Sequence, residues 1–173
     1  DQLRFWGFTH DLRIWSRGVD TDFFSPVRRR EEVRRELAPG AHRILLYVGR
    51  LAPEKRLDTL LEAFPLIRAG FGPGVSLALV GDGPWKVELE AGAPEGVIFP
   101  GYRTGIPLAE AYASADLFAF PSDTETFGNV VVEAMASGLP VVAPARGGVM
   151  DSVVPGRTGL LVPQGDPDAL AEG

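Results

Sequence analysis

The sequence contains no cysteine, two methionines and two histidines in 173 residues. Without cysteine, disulfides and thiolate metal sites are excluded. His10 and His42 are isolated, and no Ser-His-Asp or Cys-His set can be assembled around them. No general base is evident. Hydrophobic residues make up 45% of the chain, yet no apolar run is long enough to span a bilayer. No signal segment opens the sequence, so a cytoplasmic protein is expected. The net charge of -6 argues against general nucleic-acid binding. Asparagine and glutamine are scarce as well, a weak compositional mark of a heat-adapted source. Repeats and low-complexity stretches are absent. Lysine is confined to Lys55 and Lys86, which singles out any lysine beside a candidate site.

What is present suits one domain with a real core. Residues 12–15 alternate like a short strand, and Gly18-Val19-Asp20 reads as a turn. Residues 28–37 read as a charged helix whose RRREEVRRE signs interleave, the pattern of a solvated face. From residue 43 strands alternate with helices. Strands are expected at 44–48, 75–80, 97–99, 117–120, 141–143 and 160–162. Helices are expected at 54–69 with a kink at Pro65, and at 84–90, 108–114 and 149–154. Continuous apolar strands separated by helices imply an α/β fold, a parallel sheet covered on both faces. Ligands bind such sheets at the carboxyl ends of the strands, where the winding reverses. Both chain ends look cut. Asp166-Pro167 begins a helix, an N-cap followed by proline, with almost no sequence left to complete it. A fragment of a longer polypeptide is expected.

The stretch at 124–144, TETFGNVVVEAMASGLPVVAP, carries the clearest chemistry. Glu125 precedes a turn with Gly128 and Asn129, and an apolar helix pattern follows with Glu133 inside it. Gly138 stops that helix. At about 1.5 Å per residue, Glu133 lies less than two turns into the helix. The helix start offers N–H groups and partial positive charge suited to a phosphate. Two acids flanking that point can grip hydroxyls on either side of a diphosphate. The plainer reading is a surface helix with two solvated glutamates. Against it, Glu133 sits among valines, alanines and a methionine, where a charge is costly unless bonded.

Other motifs surround this one. Gly49 and Arg50 fall at the carboxyl end of the first sheet strand, with Lys55 five residues on. Two cations there can neutralise a diphosphate without a metal. Gly81-Asp82-Gly83-Pro84 imitates a dinucleotide loop, but Lys86 breaks the fingerprint, so a tight turn is expected instead. Gly101-Tyr102-Arg103 follows the third strand as a base wall or a simple turn. Asp20-Thr21-Asp22 and Asp166-Pro167-Asp168 lack a third metal ligand. Asp116 is expected to cap or orient a strand entry, and Gly147-Gly148 to permit close backbone approach.

In order, YVGRLAPEKRLDTLLEAF, LVGDGP, VIFPGY, ADLFAFPS, TETFGNVVVEAMASGLPVVA and GRTGLLV resemble the C-terminal half of family-4 retaining glycosyltransferases. The resemblance runs from about residue 12 onward. It implies a Rossmann-like doubly wound parallel sheet, one half of a two-domain GT-B architecture. Residues 1–26 then form the interdomain crossover, and 27–173 the nucleotide-sugar-binding domain without its final helices. By the same resemblance Arg50 and Lys55 hold the diphosphate and Glu125 the donor sugar. Gly49 and the backbone of Phe127, Gly128, Asn129 and Val130 line the donor site, Glu133 binds the ribose, and Tyr102 and Arg103 lie at the base. Arg50, Lys55 and Glu125 are the catalytic candidates. No cofactor and no catalytic metal are implied.

The sequence departs from the family at Arg56, where glycine is frequent after the lysine, and at Thr126, where glycine often follows the first glutamate. The ETFGN form, with RGVDT upstream, looks most like GDP-mannose-dependent α-mannosyltransferases and sulfolipid-forming transferases. Transfer of a mannosyl group from GDP-mannose to a lipid or glycan acceptor is the expected reaction. A UDP-hexose donor for glucosyl or sulfoquinovosyl transfer is the alternative. A non-catalytic nucleotide module and a sugar-nucleotide 2-epimerase are rival readings; the first has no use for Glu125, and the second lacks the glutamate pair. The expected partners are the nucleotide sugar and the N-terminal acceptor domain of the same protein. That absent half would make any peripheral contact with the inner face of the cell membrane. The isolated chain is expected to be inactive.

Overall fold

The computed structural model describes residues 2–10, 12, 18–122, 124 and 127–173. Among them, a short helix α1 (Gln2–Phe5) precedes α2 (Glu31–Leu37), β1 (Arg43–Val48), α3 (Leu57–Phe71), β2 (Val75–Val80) and α4 (Lys86–Gly92). Then come β3 (Val97–Gly101), α5 (Gly105–Ser114), β4 (Leu117–Ala119), α6 (Asn129–Ala136), β5 (Val141–Pro144), β6 (Gly159–Val162) and α7 (Pro167–Glu172). The strand expected at 12–15 falls largely outside the described residues.

The strands make one sheet in the order β3-β2-β1-β4-β5-β6, every described pairing parallel. The winding reverses between β1 and β4. The period-2 pleat explains how such apolar strands feed two cores. Ile44, Leu46 and Val48 of β1 pack with Tyr112, Phe118, Val131 and Val141 on one face. Leu45 and Tyr47 turn to the other, against Leu57, Leu60, Phe64 and Leu77. Each fully buried leucine or phenylalanine contributes about 1.5–3 kcal/mol relative to exposure.

The structure corrects several expectations. The helix expected from 28 begins only at Glu31, after a 3-10 turn at Pro26–Arg28 and an extended Arg30. Its arginines are not all solvated. The Arg34 side chain is only 11% exposed and pairs with Asp116 at 2.9 Å, while Arg29 donates to the Ala115 carbonyl and to Asp116. Arg35 keeps the solvated role, beside Glu32. Asp116 does orient a strand entry: its Oδ2 accepts the Ile44 N–H at 2.8 Å.

Helix α3 starts three residues later than expected because Pro53–Lys55 close a 3-10 turn and Arg56 is left-handed, at φ 53° and ψ 39°. Among the described residues no other non-glycine has positive φ. Pro65 lies inside α3 without ending it. The helix expected at 149–154 is a 3-10 turn, Gly147–Asp151. Asp166 caps α7 by accepting the Ala169 N–H at 3.0 Å, and Asp20 Oδ1 accepts from the Asp22 and Phe23 amides. Both acids are thus occupied by the backbone. No helix is long and apolar enough to cross a membrane among the described residues.

Candidate functional site

At the reversal point the loops after β1 and β4 face each other. The loop after β1 is held largely by backbone. Buried Tyr47 donates its hydroxyl to the Arg50 carbonyl at 3.0 Å. A Cβ on Gly49 would stand 2.7 Å from that hydroxyl, so the strand end needs glycine there. The GDGP loop after β2 seats itself against the same segment. Leu51 N–H donates to the Asp82 carbonyl, and Trp85 N–H to the Leu51 carbonyl, both at 3.0 Å. A Cβ on Gly81 would meet the Gly49 carbonyl at 1.9 Å, and one on Gly83 the Leu51 carbonyl at 2.2 Å. The two glycines therefore serve close backbone packing, as the tight turn required.

An open cleft of about 430 Å³ lies between Gly49, Arg50, Asp82 and Tyr102. The sequence pointed to three of these four; Asp82 was visible only as part of a turn. Arg50 is exposed, and its guanidinium is 3.7 Å from Glu54. Lys55 closes the 3-10 turn five residues on, its N–H donating to the Ala52 carbonyl. Arg103 does not share the cleft's lining. Its side chain is 13% exposed and its guanidinium is 3.1 Å from Glu36 on α2.

From the other side, the Thr124 hydroxyl donates to the Glu54 carbonyl at 3.3 Å, joining the loop before α6 to the loop carrying Arg50 and Lys55. Glu125 and Thr126 lie outside the described residues. Phe127 is exposed, and Gly128 is buried at φ 63° and ψ 43°. The Gly128 carbonyl accepts from Val131 and Val132 N–H groups. Among the described residues no side chain caps α6. Asn129 and Val130 begin it, so their amides form the positive end of the helix dipole.

Glu133 is the fifth residue of α6 and half-buried. The Tyr112 hydroxyl donates to its Oε2 at 3.0 Å. Burial raises the Glu133 carboxyl above its ordinary value, and the Tyr112 hydrogen bond only partly opposes that. The phenol is pushed well up in turn, by burial first and then by Glu133. The sequence flagged the cost of a charge at 133 but not its partner. A buried tyrosine usually finds a partner for its hydroxyl, yet nothing in the sequence says which.

Comparison with known proteins agrees with this architecture. The family described as glycosyl transferases group 1 matches residues 42–173. A GDP-mannose-dependent alpha-mannosyltransferase of Mycobacterium tuberculosis (strain CDC 1551 / Oshkosh) is 48% identical, over 91% of this chain and 41% of its own length. Sulfoquinovosyl transferase SQD2 of Arabidopsis thaliana is 41% identical, over 91% of this chain and 31% of its own. The chain thus spans less than half the length of these relatives. Anabaena Alr3699/HepE, solved with UDP and glucose, superposes with a TM-score of 0.74 at 30% identity, covering 90% of this chain and 44% of that one. With its Rossmann-like sheet matching the GT-B structures, the chain belongs to the group 1 glycosyl transferases.

Proposed function

We propose that this chain is the donor-binding part of a retaining glycosyltransferase, and that the whole protein transfers a mannosyl group from GDP-mannose to a lipid or glycan acceptor. The observation that carries this reading is the meeting, at one sheet reversal point, of the Arg50–Lys55 loop with the start of α6, tied by Thr124 and Glu54. In this reading Arg50 and Lys55 take the diphosphate together with the amides of Asn129 and Val130. Glu125 takes the donor sugar, Glu133 the ribose, and Tyr102 flanks the base. Two cations and a helix start stabilise the departing nucleoside diphosphate, so the charge that develops as the bond between the sugar's anomeric carbon and the diphosphate oxygen breaks meets fixed partners. No metal enters the scheme. Residues 1–26 form the crossover from an N-terminal acceptor half, and 27–173 the donor domain. The whole protein works in the cytoplasm, and its other half makes any membrane contact.

A UDP-hexose donor is the second reading. It is favoured by the sulfoquinovosyl relative and by the structural neighbour solved with UDP-glucose. Calorimetry of the chain with GDP, UDP, GDP-mannose and UDP-glucose separates the two. GDP-mannose is expected to bind tightest, and Glu125→Ala to weaken the nucleotide sugars while leaving free GDP nearly unchanged. Preference for the UDP ligands replaces mannose by the second reading. Equal loss of GDP and GDP-mannose removes Glu125 from the sugar. Sugar transfer by the isolated chain overturns the division of labour between the halves.

A further inference from the structure

Tyr112 has no part in the ligand contacts proposed above, yet its hydroxyl ends on the acid that the proposed function gives to the ribose. The ring is fully buried on α5. Phe24 packs edge-on at 5.7 Å between centroids, and Phe118 lies tilted at the same distance. Such a ring has no freedom to swing, so its oxygen is a fixed point in the fold. That fixed point touches one carboxylate oxygen, Oε2 of Glu133, at 3.0 Å. Among the described residues no other hydrogen bond reaches that carboxylate. A carboxylate has about four acceptor sites. One donor therefore leaves Oε1 and the remaining lone pair of Oε2 without a hydrogen bond among the described residues.

We propose that Tyr112 is a positioning residue, whose hydroxyl clamps Oε2 of Glu133 so that Oε1 meets the paired 2′- and 3′-hydroxyls of the nucleotide ribose. This rests on the reading of Glu133 as the ribose acid. A free glutamate must freeze its rotamers when a ligand arrives, and a clamped one has already done so. Holding the side chain in advance is worth about tenfold in affinity at most. The phenol suits this task better than a cation. It leaves the carboxylate's charge in place, and it brings no competing donor toward the phosphates.

The test compares GDP with 2′,3′-dideoxy-GDP as ligands of the chain, titrated calorimetrically against the unmodified protein, Tyr112→Phe, Glu133→Gln and the double variant. Phenylalanine keeps the ring but withdraws the one described donor to Glu133, so the melting temperature should fall by only a few degrees, about the effect of one lost hydrogen bond. Tyr112→Phe is expected to weaken GDP by about three- to tenfold and leave the dideoxy ligand unchanged. In the double variant it should add nothing to Glu133→Gln. Equal weakening of both ligands by Tyr112→Phe overturns the proposal, because a merely structural role acts on the whole site. So does a GDP loss that adds in full to that of Glu133→Gln. If Glu133→Gln itself fails to distinguish the ligands, the ribose role of Glu133 falls, and the clamp falls with it. If only Tyr112→Phe fails to distinguish them, the clamp alone is wrong.

Discussion

Two acids at opposite ends of the same sheet show what separates a structural carboxylate from an available one. Asp116 stands where β4 begins. Its Oδ1 accepts from Arg34 and Arg29, and its Oδ2 from Arg34 and the Ile44 N–H. Burial alone would raise its carboxyl, but these donors outweigh burial and hold it below the ordinary carboxylate range. Glu133 stands on α6, the helix that follows from the carboxyl end of β4. It has one described donor, Tyr112, and burial leaves its carboxyl raised. Asp116 is filled by its own protein, whereas Glu133 keeps acceptor capacity in reserve. The amino end of the sheet is thus closed by charge pairing. The carboxyl end holds an exposed cation, an under-bonded acid and a left-handed arginine.

Removing the filled acid should hurt most. Asp116→Asn keeps the shape but turns an amide toward donors that need an acceptor. The loss should be about 3 kcal/mol, because Arg34 is left buried without its counter-charge. That lowers the melting temperature by roughly 6–12 °C for a chain of this size. The acid limb sharpens the comparison. A folded-state value below the unfolded one means the unfolded chain binds more protons in the window between them. Stability from Asp116 is therefore complete above about pH 4 and drains away as pH falls through its lowered folded value. Asp116→Asn should flatten that limb, and denaturation melts from pH 2 to 5 would show it. An unchanged melting temperature would mean the network is ornamental.

The reserved acid should behave the opposite way. Its folded-state value lies above the unfolded one, so the folded chain holds the proton more firmly. The stability it contributes is complete below about pH 4 and is lost as pH rises through the raised folded value. At pH 7 the ionised side chain is a burden. Glu133→Gln should melt at the same or a higher temperature at pH 7, with less benefit at pH 4. Affinity for the nucleotide ligand should fall by about tenfold, the worth of a charged hydrogen bond. A variant less stable at neutral pH with full affinity would erase the distinction between the two acids.

The same contrast explains what could be read from the sequence. Strands were legible because β1 and β2 are buried on both faces and are written as unbroken apolar runs; residues 75–80 needed no adjustment. The acidic helix position was legible because a charge among valines demands an explanation. The partners were not. Asp116 draws Arg34 across 82 positions of sequence and Glu133 draws Tyr112 across 21, and neither distance leaves a local pattern. The arginines near α2 looked solvated because interleaved signs are the local signature of a wet helix. Only folding brings Asp116 beneath Arg29 and Arg34. Arg103 is a similar case, drawn toward α2 by Glu36. The late start of α3 had one forewarning, the glycine frequent in the family where Arg56 stands; the arginine by itself does not announce a left-handed backbone.

That arginine supplies the smallest test of the comparison. Arg56 follows Lys55 directly and adopts a conformation that costs a non-glycine residue about 1–2 kcal/mol. Its guanidinium reaches Asp58 at 3.3 Å and the Thr59 hydroxyl at 3.4 Å, contacts on a side chain 41% exposed. Exposed pairs of this kind return at most about 1 kcal/mol. Arg56→Gly relieves the backbone but loses these contacts and loosens the unfolded chain, so its net effect should stay within about 1 kcal/mol. Arg56→Ala loses the same contacts and keeps the strain. Glycine should therefore exceed alanine by about 1 kcal/mol, roughly 2–4 °C in melting temperature. Equal melting of the two variants would show a relaxed loop beside Lys55. The carboxyl end would then differ from the amino end in its unfilled carboxylate alone, and not in its backbone.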